Sequence, residues 1–222
     1  FVIALVLPIV ALVGTNNLST AIIILGIAVI VVFVSDKRYM QFVWIAAAGA
    51  GMMALFLGME SYRLERIAIW KNPEAYEKGY QTIQGLYAIG SGGLFGRGFG
   101  ESIQKLGFVP EAQNDMIFSI ICEELGFVGA TILMLVFLVL IWRFMVIAVH
   151  APDLFGSLIA AGAMGHIAIQ VILNVAVVTN TIPNTGITLP FISYGGTSVL
   201  FLLSEMGLVL AVSRWQSEKK CI

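Results

Sequence analysis

Charge is scarce in this chain. Asp, Glu, Lys and Arg make up 11% of its 222 residues and balance to a net charge of −1, which leaves no basic field to gather nucleic acid. No zinc-knuckle spacing or basic-aromatic stripe is present either, so no nucleic-acid partner is expected. Cysteine is equally rare, with two in all. Cys122 sits near the start of an apolar run and Cys221 lies in a basic tail. The topology argued below puts them on opposite sides of a bilayer, so both are expected as free thiols. Only Ile222 follows Cys221, one place short of a prenylation signal. There is no HExxH, no His/Cys cluster of metal spacing and no GxxxxGK[ST], so neither a metal site nor a P-loop is expected. No repeat of fixed period occurs.

Apolar residues take the place of charge. They make up 59% of the chain, and the mean hydropathy of +0.96 lies well outside the range of soluble domains. The sequence predicts an all-α, polytopic membrane protein. It begins at Phe1, already inside an apolar run and with no signal-peptide pattern. Residues 1–13 would rise only about 20 Å as helix against a hydrocarbon core of roughly 30 Å, so a truncated first span of a longer chain is expected.

Apolar windows fall at 1–13, 18–34, 42–57, 116–142, 155–178 and 190–213, giving about six transmembrane helices. Lys37 and Arg38 follow the second window, Arg143 the fourth, and Arg214, Lys219 and Lys220 the sixth. By parity these share one face, whereas the short loops 14–17 and 179–189 carry no Lys or Arg. The positive-inside rule makes the basic face cytoplasmic, with the C-terminus on it. The long segment 58–115 is then a large structured extracellular loop, too long to be a plain connector.

Within that loop, ESYRLERIAIW alternates charge with apolar residues, and Trp70, Tyr76 and Tyr80 are aromatics suited to headgroup depth. A short interfacial helix is expected, broken at Asn72-Pro73. QTIQGLYAIGSGGLFGRGFG follows. It is apolar but punctuated by glycine, which suits a re-entrant element lining a cavity, because irregular backbone at membrane depth must be covered by protein or water.

Asp115 directly precedes MIFSII. It reads as an N-cap for the next helix or as a general base beside a cavity at the outer surface, and the two are compatible. Capping lowers a carboxyl pKa, and burial raises it. Glu123, Glu124 and Glu205 lie within apolar runs, where ionisable groups mark function or pairing. His166, Gln170 and Asn174 recur along one helix face, as interhelical glue or a proton path. GSGGLFGRGFG offers a nest of N–H groups which, with Arg97, suits a phosphate, although glycines serve tight turns and close packing equally well. Pro183, Pro190 and GGTS at 195–198 would open the last helix toward a cavity or pack small residues against a neighbour.

Two stretches, GYQTIQGLYAIGSGGLFGRGFGESIQKLGFVPEAQNDMIFSIICEELGFVGA and PNTGITLPFISYGGTSVL, resemble the SEDS family of bacterial shape, elongation, division and sporulation proteins (FtsW/RodA/SpoVE). The similarity runs through essentially the whole chain. It implies a single SEDS membrane domain over 1–222, covering roughly the last six helices of a ten-helix fold. It also implies a peptidoglycan glycosyltransferase that polymerises lipid II and works with a class B penicillin-binding protein in the bacterial plasma membrane. The family's essential aspartate falls on Asp115. A sugar 4-hydroxyl would attack the anomeric carbon of the growing chain with inversion, one general base sufficing because a lipid diphosphate leaves without an acid. Lys105, Arg97 or a divalent cation (Mg or Mn) would meet the developing charge. Glu111, Gln113, Glu124, Ser193 and Tyr194 complete the expected substrate contacts.

The chain departs from the family pattern where many members read Pro-Glu-Ala-His-Thr-Asp-Phe. Here Gln113, Asn114 and Met116 stand around Asp115, so no titratable histidine neighbours it. Thr15–Ala21 likewise lacks the family's acid. Ala112, often arginine in the elongation branch, tilts the resemblance toward division or sporulation. A lipid II flippase and a non-catalytic scaffold for the penicillin-binding protein are the rival functions, and the effect of changing Asp115 separates them.

Overall fold

In this computed structural model the described residues are 2–35 and 61–220, with positions 40, 43, 44, 47–49 and 51. Most of the expected third span, the basic pair Lys37 and Arg38, and Cys221 lie outside them. Among the described residues, helix is the only regular structure. The elements are α1 (Val2–Asn16), α2 (Leu18–Ser35), α3 (Ser61–Lys71), α4 (Tyr80–Gly92), α5 (Ile117–Val149), α6 (Leu154–Val178) and α7 (Gly196–Lys220), with two short 3-10 turns between α3 and α4. Four of these, α2, α5, α6 and α7, are long and apolar enough to cross a bilayer. They match the second, fourth, fifth and sixth expected windows, and α1 fills the first.

The sixth window needs a correction at its start. Residues 190–195 are not helical, and α7 opens only at Gly196. Pro190 has no N–H to give, Phe191 takes a left-handed φ of 65°, and the Ser193 hydroxyl accepts the Leu189 amide at 2.7 Å, which diverts that backbone from a helical ladder.

The chain folds as two compact units. The first takes residues 1–59, 139–169 and 197–222; the second takes 60–138 and 170–196. In the first unit α1 passes into α2 through Asn17 alone. Its side-chain oxygen accepts the Thr20 amide at 3.2 Å and so caps α2. Gly26 lies against Ile169 and Gly165 against Ile30, where side chains would keep the helices apart. His166 on α6 bonds Glu205 on α7 at 2.9 Å, so two of the polar groups inside the apolar runs satisfy each other.

In the second unit α3 is a short helix where the alternating charges suggest one, and Pro73 opens a 3-10 turn where the break was expected. Its Trp70 does not rest freely among headgroups: it is half-buried and donates its indole N–H to the Asn180 carbonyl at 2.9 Å. Arg66 donates to the Asn184 carbonyl at 3.0 Å, so α3 is tied twice to the segment after α6.

Helix α5 is broken once, at Gly126, whose φ of 69° and ψ of −170° are not helical. That break removes the helical acceptors of two amides and the helical donors of two carbonyls, and the glycine-rich segment after α4 supplies them. Arg97 and Gly98 donate to the carbonyls of Glu123 and Glu124, both at 3.0 Å, while Phe127 and Val128 donate to Gly93 and Leu94 at 2.9 and 3.0 Å. Every group freed by the break is therefore paired, as nonpolar surroundings require. Such close approach needs glycine: a Cβ on Gly92 would sit 1.9 Å from the Cys122 carbonyl oxygen, and one on Gly126 2.2 Å from the Gly96 nitrogen.

Candidate active site

Asp115 sits in the second unit, two residues before α5. It is not the helix's N-cap, as the sequence suggested. The first helical residue is Ile117, and the carbonyl of the intervening Met116 accepts the amide and the hydroxyl of Ser119 at 3.0 and 2.7 Å. Freed from capping, the Asp115 carboxylate turns into a cleft of about 380 Å³. The residue is only 7% exposed. One oxygen receives a long 3.5 Å bond from the Gln81 side-chain amide, and the other is buried with no hydrogen-bond partner. Burial pushes its pKa above the ordinary 3.8. Its own backbone amide pulls the other way, the Glu111 charge adds to the rise, and Gln81 and the Met116 amide lower it, with burial the largest effect. A buried carboxylate with an unpartnered oxygen and a raised pKa is a proton acceptor in waiting.

Three segments hold the backbone beneath that side chain. Asn174 of α6, wholly buried, donates to the carbonyls of Asp115 and Ile187 at 2.8 and 2.7 Å. Ser193 donates its hydroxyl to the Asn114 carbonyl at 2.7 Å, and the Tyr194 amide donates to the Gln113 carbonyl at 2.8 Å. Glu111 takes a left-handed φ of 54°, accepts the Asn114 amide at its carbonyl, and receives the Asn114 side-chain amide at its carboxylate. Residues 111–115 thus form a tight turn pinned from α6 and from the 187–194 run.

The cleft is lined by acids Glu65, Glu111 and Asp115, cations Arg66 and Lys78, and the neutral polar groups of Gln81, Thr82, Asn180 and Asn184. Arg66 is oriented by its bond to Asn184, and Lys78 pairs with Glu65 at 3.0 Å. Nothing local in the sequence marks Glu65, Arg66, Lys78, Gln81, Asn180 or Asn184 as neighbours of Asp115. Gln81 reaches Asp115 across 34 residues and Asn184 reaches Arg66 across 118, so no local spacing could have marked them.

The expected substrate contacts divide accordingly. Glu111 shares the cleft with Asp115. Ser193 and Tyr194 act on the backbone of 113–114, and Gln113 enters through its carbonyl. Arg97, Lys105 and Glu124 are not among the residues that line this cleft. Arg97 pairs with wholly buried Glu123 at 3.4 Å, and Lys105 pairs with Glu124 at 2.7 Å. Glu123 also accepts the Ser102 hydroxyl at 2.5 Å and the amides of Ile103 and Gln104, both at 3.3 Å. The supposed N–H nest is spent as well. The Arg97 and Gly98 amides go to α5 carbonyls, and the Gly100 amide goes to the Glu124 carboxylate at 3.0 Å. A buried acid needs partners, and folding the 97–105 segment over α5 supplies them. Among the described residues no three His, Cys, Asp or Glu side chains converge as a metal site.

Apolar helices of membrane-crossing length, with a polar acid-centred cleft built on their connecting segments, define a polytopic α-helical membrane protein with an enzyme-like site. Comparison with known proteins then gives the family: the family model FtsW/RodA/SpoVE, described as "cell cycle protein", matches residues 1–218, and the chain belongs to that family. It is 47% identical over 202 residues to stage V sporulation protein E of Bacillus subtilis, covering 90% of this chain and 55% of that protein. It is 41% identical over 204 residues to a probable peptidoglycan glycosyltransferase FtsW of Trichlorobacter lovleyi, covering 89% and 52%. The chain thus spans about half the length of these relatives. Among solved structures it resembles a chain of a peptidoglycan synthase complex that coordinates polymerization and crosslinking, with TM-score 0.78, 30% identity and coverage of 96% of this chain and 61% of that one. It also resembles the rod shape determining protein RodA of Thermus thermophilus, with TM-score 0.63, 30% identity and coverage of 96% and 55%.

Proposed function

We propose that this chain carries the general base of a peptidoglycan glycosyltransferase that polymerises lipid II. The observation that carries the reading is Asp115: a buried carboxylate with one unpartnered oxygen, turned into a polar cleft beside two cations. The relatives called peptidoglycan glycosyltransferase and the synthase complex support the same activity.

In this reading the 4-hydroxyl of one lipid-linked sugar enters the cleft and gives its proton to Asp115. Its oxygen forms a bond to the anomeric carbon of the growing strand, the bond from that carbon to the lipid diphosphate breaks, and the configuration inverts. Diphosphate is a stable anion, so the charge it gains calls for cations rather than a second acid. Arg66 and Lys78 are the cations lining this cleft. They take the role first assigned to Arg97 and Lys105. The raised pKa suits the task, because a carboxylate that binds its proton more tightly is the stronger base.

The sugar and diphosphate must be reached while the polyprenyl tail stays in hydrocarbon. A cleft on the segments joining apolar helices meets that need. The cleft faces the extracytoplasmic side and the C-terminus the cytoplasm, as the distribution of Lys and Arg argues. A class B penicillin-binding protein that crosslinks the product is the expected partner.

The test is polymerisation of purified lipid II by the full-length protein with that partner. Asp115→Ala should lose about 10²-fold or more of the activity while still binding lipid II. Normal glycan strands from this variant would end the enzyme reading. If labelled lipid II then crossed vesicle bilayers in a way that depended on the protein, the flippase reading would stand instead; a variant harmless to both activities would leave the scaffold.

A further inference from the structure

Between α4 and the turn at Glu111, the second unit presents a cluster of large apolar side chains that nothing in the unit covers. Leu94, Phe95, Phe99, Ile103, Leu106 and Phe108 are all exposed, Phe95 at 80% and Phe99 at 88%. A soluble surface rarely carries six such residues within 15 positions. The same segment is nonetheless tied to α5 by its polar groups: the Arg97 and Gly98 amides and the Gly93 and Leu94 carbonyls bond the broken turn, Arg97 and Lys105 pair with Glu123 and Glu124, and Ser102 is buried against Glu123, while Arg97 and Glu101 stay exposed. Backbone tied inward while three phenylalanines and three aliphatic side chains point outward is the reverse of a loop built for water.

Depth follows from α5. From Glu124 to Arg143 the helix has no charged residue, a rise of about 28 Å, close to the roughly 30 Å hydrocarbon thickness. Glu124 therefore lies near one edge of the hydrocarbon. The 93–98 segment bonds residues 123–128, at that edge and up to one turn below it. The neighbouring α5 side chains Leu125, Phe127, Val128 and Ile132 are themselves exposed and apolar, so the cluster continues the lipid-facing surface of a membrane-crossing helix.

We propose that residues 94–108 are a membrane-inserted skirt, with Phe95, Phe99 and Leu106 seated among the lipid acyl chains at the headgroup boundary. The occupant is the bilayer itself. Lipid offers no hydrogen bonds, which accounts for the pairing of the 93–98 backbone with the broken turn of α5, and a depth of one helical turn matches the usual 5–10 Å seating of interfacial elements. The glycines keep the segment flat against α5 so that its side chains can point away. The sequence suggested a re-entrant piece lining a wet cavity; on this proposal its exposed aromatics turn instead to lipid.

The experiment is spin labelling of the full-length protein in nanodiscs, on a background carrying Cys122→Ala and Cys221→Ser. Labels at Phe95→Cys, Phe99→Cys and Leu106→Cys should collide with lipid-soluble oxygen several-fold more than with a water-soluble nickel chelate, and a label at exposed Glu101→Cys should show a lower ratio. Phe99→Trp should in parallel lose fluorescence to lipids brominated high on their acyl chains. Preference for the nickel reagent would overturn the proposal by showing the cluster in water. Protection from both reagents would overturn it too, by showing the cluster covered by protein, whether the rest of the chain or a partner. None of these readouts uses catalysis, so the proposal stands or falls apart from the assignment of Asp115.

Discussion

Asn174 holds Asp115 by its backbone, not by its carboxylate. Its side-chain amide spends both hydrogens on carbonyls, that of Asp115 at 2.8 Å and that of Ile187 at 2.7 Å, in a wholly buried place. The carboxylate is left without a strong donor and so stays basic, while the chain beneath it cannot drift. Asn174→Leu keeps the volume but orphans two buried carbonyls, at about 1–3 kcal/mol each. The expected result is a lower melting temperature and, in whatever protein folds, a fall in kcat larger than the change in KM; an unchanged kcat would show that the clamp does not position the base.

Asp115 should cost stability where it serves function. Because burial raises its folded pKa above 3.8, the folded state holds the proton more tightly than the unfolded chain does. The stability this provides is present below the unfolded value and lost as pH rises through the folded one. Asp115→Asn, never ionised, should therefore melt higher than the parent at neutral pH, with the gain shrinking as pH falls toward 4 or so. Melting curves at several pH values measure this, and a gain independent of pH would refute the ionisation account.

Glu111 sets part of that pKa. Its charge raises the Asp115 value, so Glu111→Gln should move the acid limb of the pH–rate profile to lower pH. Removing the Gln81 bond, which lowers the value, should move the limb the other way in Gln81→Leu. Opposite shifts in the two variants are the signature sought from kcat/KM against pH.

Arg66 and Lys78 can be separated from Arg97 and Lys105 by where their loss is felt. Arg66→Gln should slow polymerisation about 10-fold to 10²-fold while the protein stays folded, because it removes a cation from the cleft. Arg97→Gln leaves Glu123 buried with less compensation, and its effect should appear first as a lower melting temperature. Activity assays beside melting curves decide the matter.

Close packing at the α5 break predicts a sharp contrast between two glycines. A Cβ on Gly92 would meet the Cys122 carbonyl at 1.9 Å, whereas one on Gly90 meets nothing within 4 Å. Gly92→Ala should cost several times the typical ~1 kcal/mol of a point mutation, but Gly90→Ala, in a helix, should be neutral or stabilise by about 0.5–1 kcal/mol. Yield and melting temperature of the two variants provide the check.

Apolar run length was enough to find the four membrane-crossing helices among the described residues, because a bilayer demands long uncharged stretches whatever their neighbours do. The short helix at 61–71 and the break at Pro73 were legible for a similarly local reason, and the ordered motifs around Asp115 carried the family. What the sequence could not contain was who stands beside whom. Whether Asp115 caps its helix or faces a cleft depended on one turn of backbone pinned by Asn174, Ser193 and Tyr194. Which cations serve the cleft depended on Glu123 and Glu124 already claiming Arg97 and Lys105. Hydropathy and capping preferences act along the chain. Ion pairs, buried carbonyls and the space between segments are settled only when residues far apart in sequence compete for the same partners, and that competition is decided by the folded structure.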